Sequence, residues 1–264
     1  MADETNSCVD KSTLYRRVIL VPGGSGGLGS ALVTLLAREG ATLVVGYRSN
    51  RQRAEGLASS LEDEFDCNIT LVGGELTDPN VRIQYLEAST KNKGAPYGLV
   101  CFTGDPGRIE FSSASGQDML PSLTSNYIGP LLMARDCASA MKSEGVSGAI
   151  VFLSSVQAVG LFPGSYNYSG PKAALIHTAK TMAKELGGGS DGIRVNVVAP
   201  GVNRAGMALK SIESGKYDCF VEQGIIPRFG RAEDVSRVVR LLLEPDNYLT
   251  GQVITVDGGL TLRS

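Results

Sequence analysis

Val18-Ile-Leu-Val-Pro-Gly-Gly-Ser-Gly-Gly-Leu-Gly29 is the stretch on which the fold turns. Its first four residues are apolar and mostly β-branched, the composition of a short strand covered on both faces. Glycines follow at once, and then the helical run Leu28–Arg38. Gly23, Gly27 and Gly29 allow a tight turn and leave bare backbone N–H groups at the head of that helix. There, with Ser25 and Leu28, those groups and the helix dipole suit a pyrophosphate. The spacing is G-x-x-x-G-x-G rather than the commoner G-x-G-x-x-G. A glycine string alone is a weak signal; its place between a first strand and a first helix strengthens it into a dinucleotide site.

Outward from this loop the same alternation repeats. Apolar runs at Thr42–Gly46, Ile69–Gly73, Gly98–Phe102, Ala149–Leu153, Val195–Val198 and Val253–Val256 read as further strands. Arg51–Glu64, Leu120–Lys142, Ala173–Leu186 and Ala232–Leu243 carry apolar residues at helical spacing. Such alternation predicts an α/β fold, a doubly wound, mostly parallel sheet of about seven strands with helices on both faces. No linker or repeat divides the chain. A loose polar leader is expected over residues 1–13 and one domain over 14–264.

Composition excludes several classes of function. A net charge of −2 argues against nucleic acid as a partner. No apolar run is long enough to span a bilayer, so no membrane partner is expected. Cys8, Cys67, Cys101, Cys137 and Cys219 are odd in number and never at C-x-x-C spacing, the pattern of reduced thiols in a cytoplasmic protein. His177, the one histidine, lies in a helical run, so no metal is expected.

The second strand runs into Tyr47-Arg48-Ser49-Asn50-Arg51 with no carboxylate to bond a ribose 2′-hydroxyl. Arg48, with Ser49, suits a 2′-phosphate instead, with Asn50 and Arg51 as further candidates, so NADP(H) is preferred to NAD(H). Farther on, Tyr168-Ser-Gly-Pro-Lys172 sets a phenol and an ammonium four residues apart on one helical face. A nearby ammonium is expected to lower the phenol's pKa and fit it for proton exchange with a carbonyl oxygen. Ser155 follows the apolar run Ala149–Leu153, at the strand end where ligands bind in such sheets.

Taken with Asn126, Arg194-Val-Asn-Val-Val-Ala-Pro-Gly201 and Thr250-Gly … Val256-Asp-Gly-Gly259, these residues resemble the short-chain dehydrogenase/reductase family, in its compact type similar to 3-oxoacyl carrier-protein reductases. The resemblance runs from the first strand to the C-terminus. It implies a Rossmann-like domain and an NAD(P)-dependent enzyme. Tyr168 would be the general acid/base, Lys172 its modulator and the holder of the nicotinamide ribose, Ser155 the group orienting a carbonyl, and Asn126 the residue holding a relay water. Pro200, Gly201 and Asn203 would lie along the nicotinamide, Glu75 and Leu76 near the adenine, and Gly104 beside the cofactor. Residues of about 202–227 would cover a small ketone or acyl thioester, and the protein would be a homo-oligomer, tetramer or dimer. Arg228-Phe229-Gly230 resembles the stretch before the last helix in the acyl-carrier reductases.

Three departures stand against this likeness. Cys101-Phe102-Thr103-Gly104 replaces Asn-Asn-Ala-Gly, Pro22 replaces a threonine, and Ala205 replaces another. Loss of both partners between the first two loops predicts compensated packing, with no unpaired polar atom there. Asn203 or Ser211 is the candidate substitute for the third. NADPH-dependent reduction of a ketone leads; oxidation of a secondary alcohol and a weakly catalytic NADP(H)-binding sensor are the alternatives.

Overall fold

The computed structural model describes residues 12–91, 94–188 and 192–263. Cys8 and most of the expected leader lie outside them. Ser12 and Thr13 lie inside, and Arg240 donates hydrogen bonds to both hydroxyls.

Seven strands form one parallel sheet: β1 (Val18–Val21), β2 (Thr42–Tyr47), β3 (Asn68–Gly73), β4 (Gly98–Cys101), β5 (Ala149–Leu153), β6 (Arg194–Pro200) and β7 (Val253–Val256). Their order is β3-β2-β1-β4-β5-β6-β7. The chain winds outward from β1 to β3, then returns to place β4 beside β1, so a crevice opens beyond the carboxyl ends of these two strands. The phosphate loop lies at that switch point.

The helices are α1 (Gly27–Arg38), α2 (Arg51–Glu64), α3 (Pro79–Lys91), α4 (Gly116–Leu123), α5 (Gly129–Ser143), α6 (Tyr166–Leu186), α7 (Leu209–Glu213), α8 (Asp218–Glu222), α9 (Ala232–Leu243) and α10 (Leu260–Arg263). Side chains alternate across a strand, so β1 feeds two cores. Val18 and Leu20 pack with α3, α5 and α6. Ile19 and Val21 pack with α1 and α9. A third, smaller cluster joins Ile212 of α7, Ile226, Phe229 and Leu260, beneath the segment expected to cover the substrate. No described helix is long and apolar enough to cross a membrane.

Two helices differ from the sequence reading. The run expected over Leu120–Lys142 is interrupted by a π-helical turn, Thr124–Ile128, that carries Asn126. α6 begins at Tyr166, two residues before the helical face read from Tyr168, runs unbroken into the run read from Ala173, and continues through Pro171. Proline donates no hydrogen bond to the carbonyl four residues back. Here that carbonyl, of Asn167, accepts one from the Ser122 hydroxyl at 2.5 Å instead.

Candidate active site

A cleft of about 730 Å³ follows the carboxyl edge of the sheet from the end of β2 to the head of α6. Apart from Arg51, each residue expected to touch the cofactor lines it, as do Ser155, Tyr168 and Lys172. Asn126 is not among the lining residues; it lies buried beneath the loop after β4.

The phosphate loop is shaped by contact. Gly23 has φ of +75°, and a Cβ there would meet the Phe102 carbonyl carbon at 2.9 Å. The Phe102 N–H donates to Pro22 O at 2.8 Å, so a backbone hydrogen bond ties the two loops together. Compensation is incomplete, however. The Thr103 hydroxyl is buried without a partner, which overturns the expectation that no polar atom would be orphaned there.

At the adenosine end, Arg48 and Ser49 line the cleft together with Asn50, which caps α2 by accepting from the Arg53 N–H at 3.0 Å. Arg53 lines the cleft as well, whereas Arg51 pairs with Glu55 at 2.7 Å along the helix. Arg53, which the sequence reading did not name, thus stands at the cleft where Arg51 was a candidate. Glu75 reaches across from the end of β3 to within 3.7 Å of Arg48; both side chains are exposed, and water weakens the pair.

At the other end stand the groups with proton chemistry. Ser155 is buried at the exit of β5, in extended backbone, and its hydroxyl accepts from the Gln157 N–H at 3.2 Å. Neighbouring Ser154 donates to the Lys172 carbonyl at 3.0 Å, pinning α6 against the strand. Lys172 is buried, donates to Leu153 O at 2.7 Å, and lies 5.9 Å from the centre of the Tyr168 ring. Burial lowers its pKa to about 8, against a smaller upward pull from Cys101. Burial also pushes the Tyr168 phenol up to about 12, against a lowering hydrogen bond from Ser155. This is opposite to the direction expected from sequence, because desolvation of the phenolate outweighs the hydrogen bond from Ser155.

Asn126, fully buried, spends its amide on structure. It donates to Asp105 O at 2.8 Å and to the Ser122 hydroxyl at 2.9 Å, and accepts from the Asp105 N–H at 3.2 Å. It thereby fixes the loop after β4, whose Gly104 leaves no room for a side chain between Asn126 and Lys172. A Cβ on Gly104 would lie 2.9 Å from the asparagine oxygen.

The segment after β6 closes the cleft from above. Gly201 bonds to Val256 O, and Asn203 is buried with its amide donating to Gly201 O at 2.8 Å. A Cβ on Gly27 would fall 2.2 Å from the Gly206 nitrogen, so the cover lies directly on the head of α1. The Asn203 side-chain oxygen, Oδ1, is buried without a partner. With Thr103, this gives the cleft two unsatisfied polar atoms beside its bare amides, an arrangement that fits a polar ligand such as a dinucleotide.

The comparisons agree with this geometry. A family model described as Enoyl-(Acyl carrier protein) reductase matches residues 23–261. The chain is 33% identical over 246 residues to Carbonyl reductase family member 4 of Danio rerio, covering 93% of this chain and 98% of that protein. It is 31% identical over 256 residues to the 3-oxoacyl-[acyl-carrier-protein] reductase FabG of Thermotoga maritima, covering 94% and 99%. A solved short-chain dehydrogenase/reductase from Serratia marcescens superposes with a TM-score of 0.84 at 27% identity, covering 95% of this chain and all of that one. Its sheet, its cleft and these relatives together make the chain a member of the short-chain dehydrogenase/reductase family, and an NAD(P)-dependent oxidoreductase.

Proposed function

We propose that the protein reduces a ketone to a secondary alcohol with NADPH, the ketone being a 3-oxoacyl thioester or another small hydrophobic carbonyl compound. The convergence of Ser155, Tyr168 and Lys172 at the end of β5, under a partly apolar cover, carries the reading. When bound, a reduced nicotinamide supplies hydride to the carbonyl carbon. Ser155 donates to the carbonyl oxygen and orients it, and Tyr168 delivers the proton that completes the alcohol. Lys172, charged below about pH 8, offsets the negative charge left on the phenol. Through the neutral range the phenol holds its proton, which favours reduction over oxidation, where a phenolate is needed.

NADP(H) is preferred because Arg48, Ser49 and Arg53 gather at the head of α2, where the helix dipole adds to the attraction for a 2′-phosphate. Thr103, Asn203 and the glycine loop would hold the rest. Residues 14–264 act as one domain on this reading, since every strand among the described residues belongs to one sheet. The partly exposed edge strand β7 is consistent with a homo-oligomer, and reduced thiols with the cytoplasm.

The test is consumption of NADPH and NADH by the purified protein across a ketone panel that includes a 3-oxoacyl thioester, with Tyr168→Phe in parallel. Turnover is expected with NADPH and is lost in the variant, by at least about 100-fold. Undiminished turnover in Tyr168→Phe refutes the assignment. Tight NADPH binding without turnover of any ketone supports the sensor reading instead.

A further inference from the structure

We propose that Arg108 determines specificity at the substrate end of the cleft, selecting carbonyl compounds that also carry an anionic group, a carboxylate or a phosphate. The proposal rests on the reductase reading above. Its starting point is a charge imbalance: the cleft is lined by four cationic side chains and one carboxylate, in a chain whose net charge is −2. Three of the cations have other work. Arg48 and Arg53 stand at the adenosine end, where Arg48 also faces Glu75, and Lys172 is held by Leu153 O. Arg108 is the remaining one.

Its side chain leaves the loop after β4 and reaches the cover. One terminal nitrogen donates both to Met207 O at 3.1 Å and to the Ser211 hydroxyl at 3.2 Å. These bonds join segments about a hundred residues apart in sequence. They hold the guanidinium at the cleft wall, so less side-chain freedom is lost when a ligand binds. Its other terminal nitrogen and Nε have no protein partner among the described residues. The neighbouring Asp105 carboxylate turns away to accept from the Gly107 N–H at 2.8 Å. Met207, Leu209 and Tyr217 line the adjoining wall and are suited to an apolar body. A guanidinium with free N–H groups beside an apolar wall matches a substrate with a hydrophobic chain ending in an anionic group.

The experiment measures binding rather than turnover. Wild type, Arg108→Gln and Arg108→Lys, each with and without saturating NADP+, are titrated calorimetrically with oxooctanoate, its methyl ester and octyl phosphate. In wild type the better-bound anion is expected to bind about 10- to 100-fold tighter than the ester, the range of a hydrogen bond to a charged group. That gap closes in Arg108→Gln, which removes the charge, and persists in Arg108→Lys, which keeps it. Tighter binding of the acid identifies a carboxylate, and of octyl phosphate a phosphate. If neither anion outbinds the ester in wild type the proposal is overturned, as it is by a gap that survives in Arg108→Gln. A failure of the reductase reading appears separately, as absent NADP+ binding, while the anion preference is still read on the free protein.

Discussion

The phenol of Tyr168 keeps its proton through the neutral range because burial lifts its pKa to about 12. The same burial brings the Lys172 ammonium down to about 8, since an apolar setting disfavours whichever form is charged. For a reductase these shifts have opposite consequences. A protonated phenol is the form that donates, so Tyr168 imposes no limit below about pH 10. The phenolate left behind needs its counter-charge, and Lys172 supplies that only while protonated. We therefore expect kcat/KM for ketone reduction to be level below about pH 7 and to fall above about pH 8. Lys172→Met should lower the rate by about 100- to 10,000-fold and remove that inflection. A pH–rate profile of both proteins checks this; an unchanged inflection in Lys172→Met would assign it to another group.

The head of α6 shows how an element can run through residues that disfavour it. Gly170-Pro171 weakens a helix, yet α6 passes through because Ser122 supplies the hydrogen bond to Asn167 O that Pro171 lacks. Ser122→Ala should cost about 1–3 kcal/mol, the penalty for an unpaired buried carbonyl and a lost partner for Asn126. Adding Pro171→Ala restores a backbone donor and should recover part of the loss. Urea unfolding of both variants measures the coupling, and strictly additive losses would refute it. The seven strands were legible because parallel strands buried on both faces are continuous apolar runs. α3 was not singled out, because its buried face includes Arg82 and Ser89, and Arg82 is satisfied only by Asp136 and Leu76 O from elsewhere in the fold. Ser155, Tyr168 and Lys172 could be read from type and spacing. The direction of the Tyr168 shift could not, since burial belongs to the packed molecule. Arg53, Thr103 and Arg108 were missed as cleft residues for a similar reason: each lies in a loop or first helical turn whose facing no periodicity records.

Across the whole molecule, apolar burial is divided unequally. The two large clusters share β1 and include the central strands, so neither opens without disrupting the sheet. The cover rests on its own small cluster around Ile212, Ile226, Phe229 and Leu260. It is joined to the rest by Arg108, by Asn203 and by the approach of Gly206 to Gly27. Local opening follows the least buried contact set, so the cover should open at a lower free energy than the sheet. A ligand bound between the cover and the phosphate loop would stabilise the closed form in proportion to the logarithm of its concentration over Kd. Native-state hydrogen exchange should therefore show amides of residues 205–223 exchanging well ahead of those in β1, β4 and β5. With NADP+ at about 100 times its Kd, protection of the cover should rise by up to about 100-fold, while strand amides that exchange only through global unfolding gain no more than that. Exchange of the cover at the rate of the central strands in the free protein would mean that it opens only with the sheet. The cleft would then have to admit its dinucleotide past a closed cover, which the contact of Gly206 with the head of α1 makes sterically unfavourable.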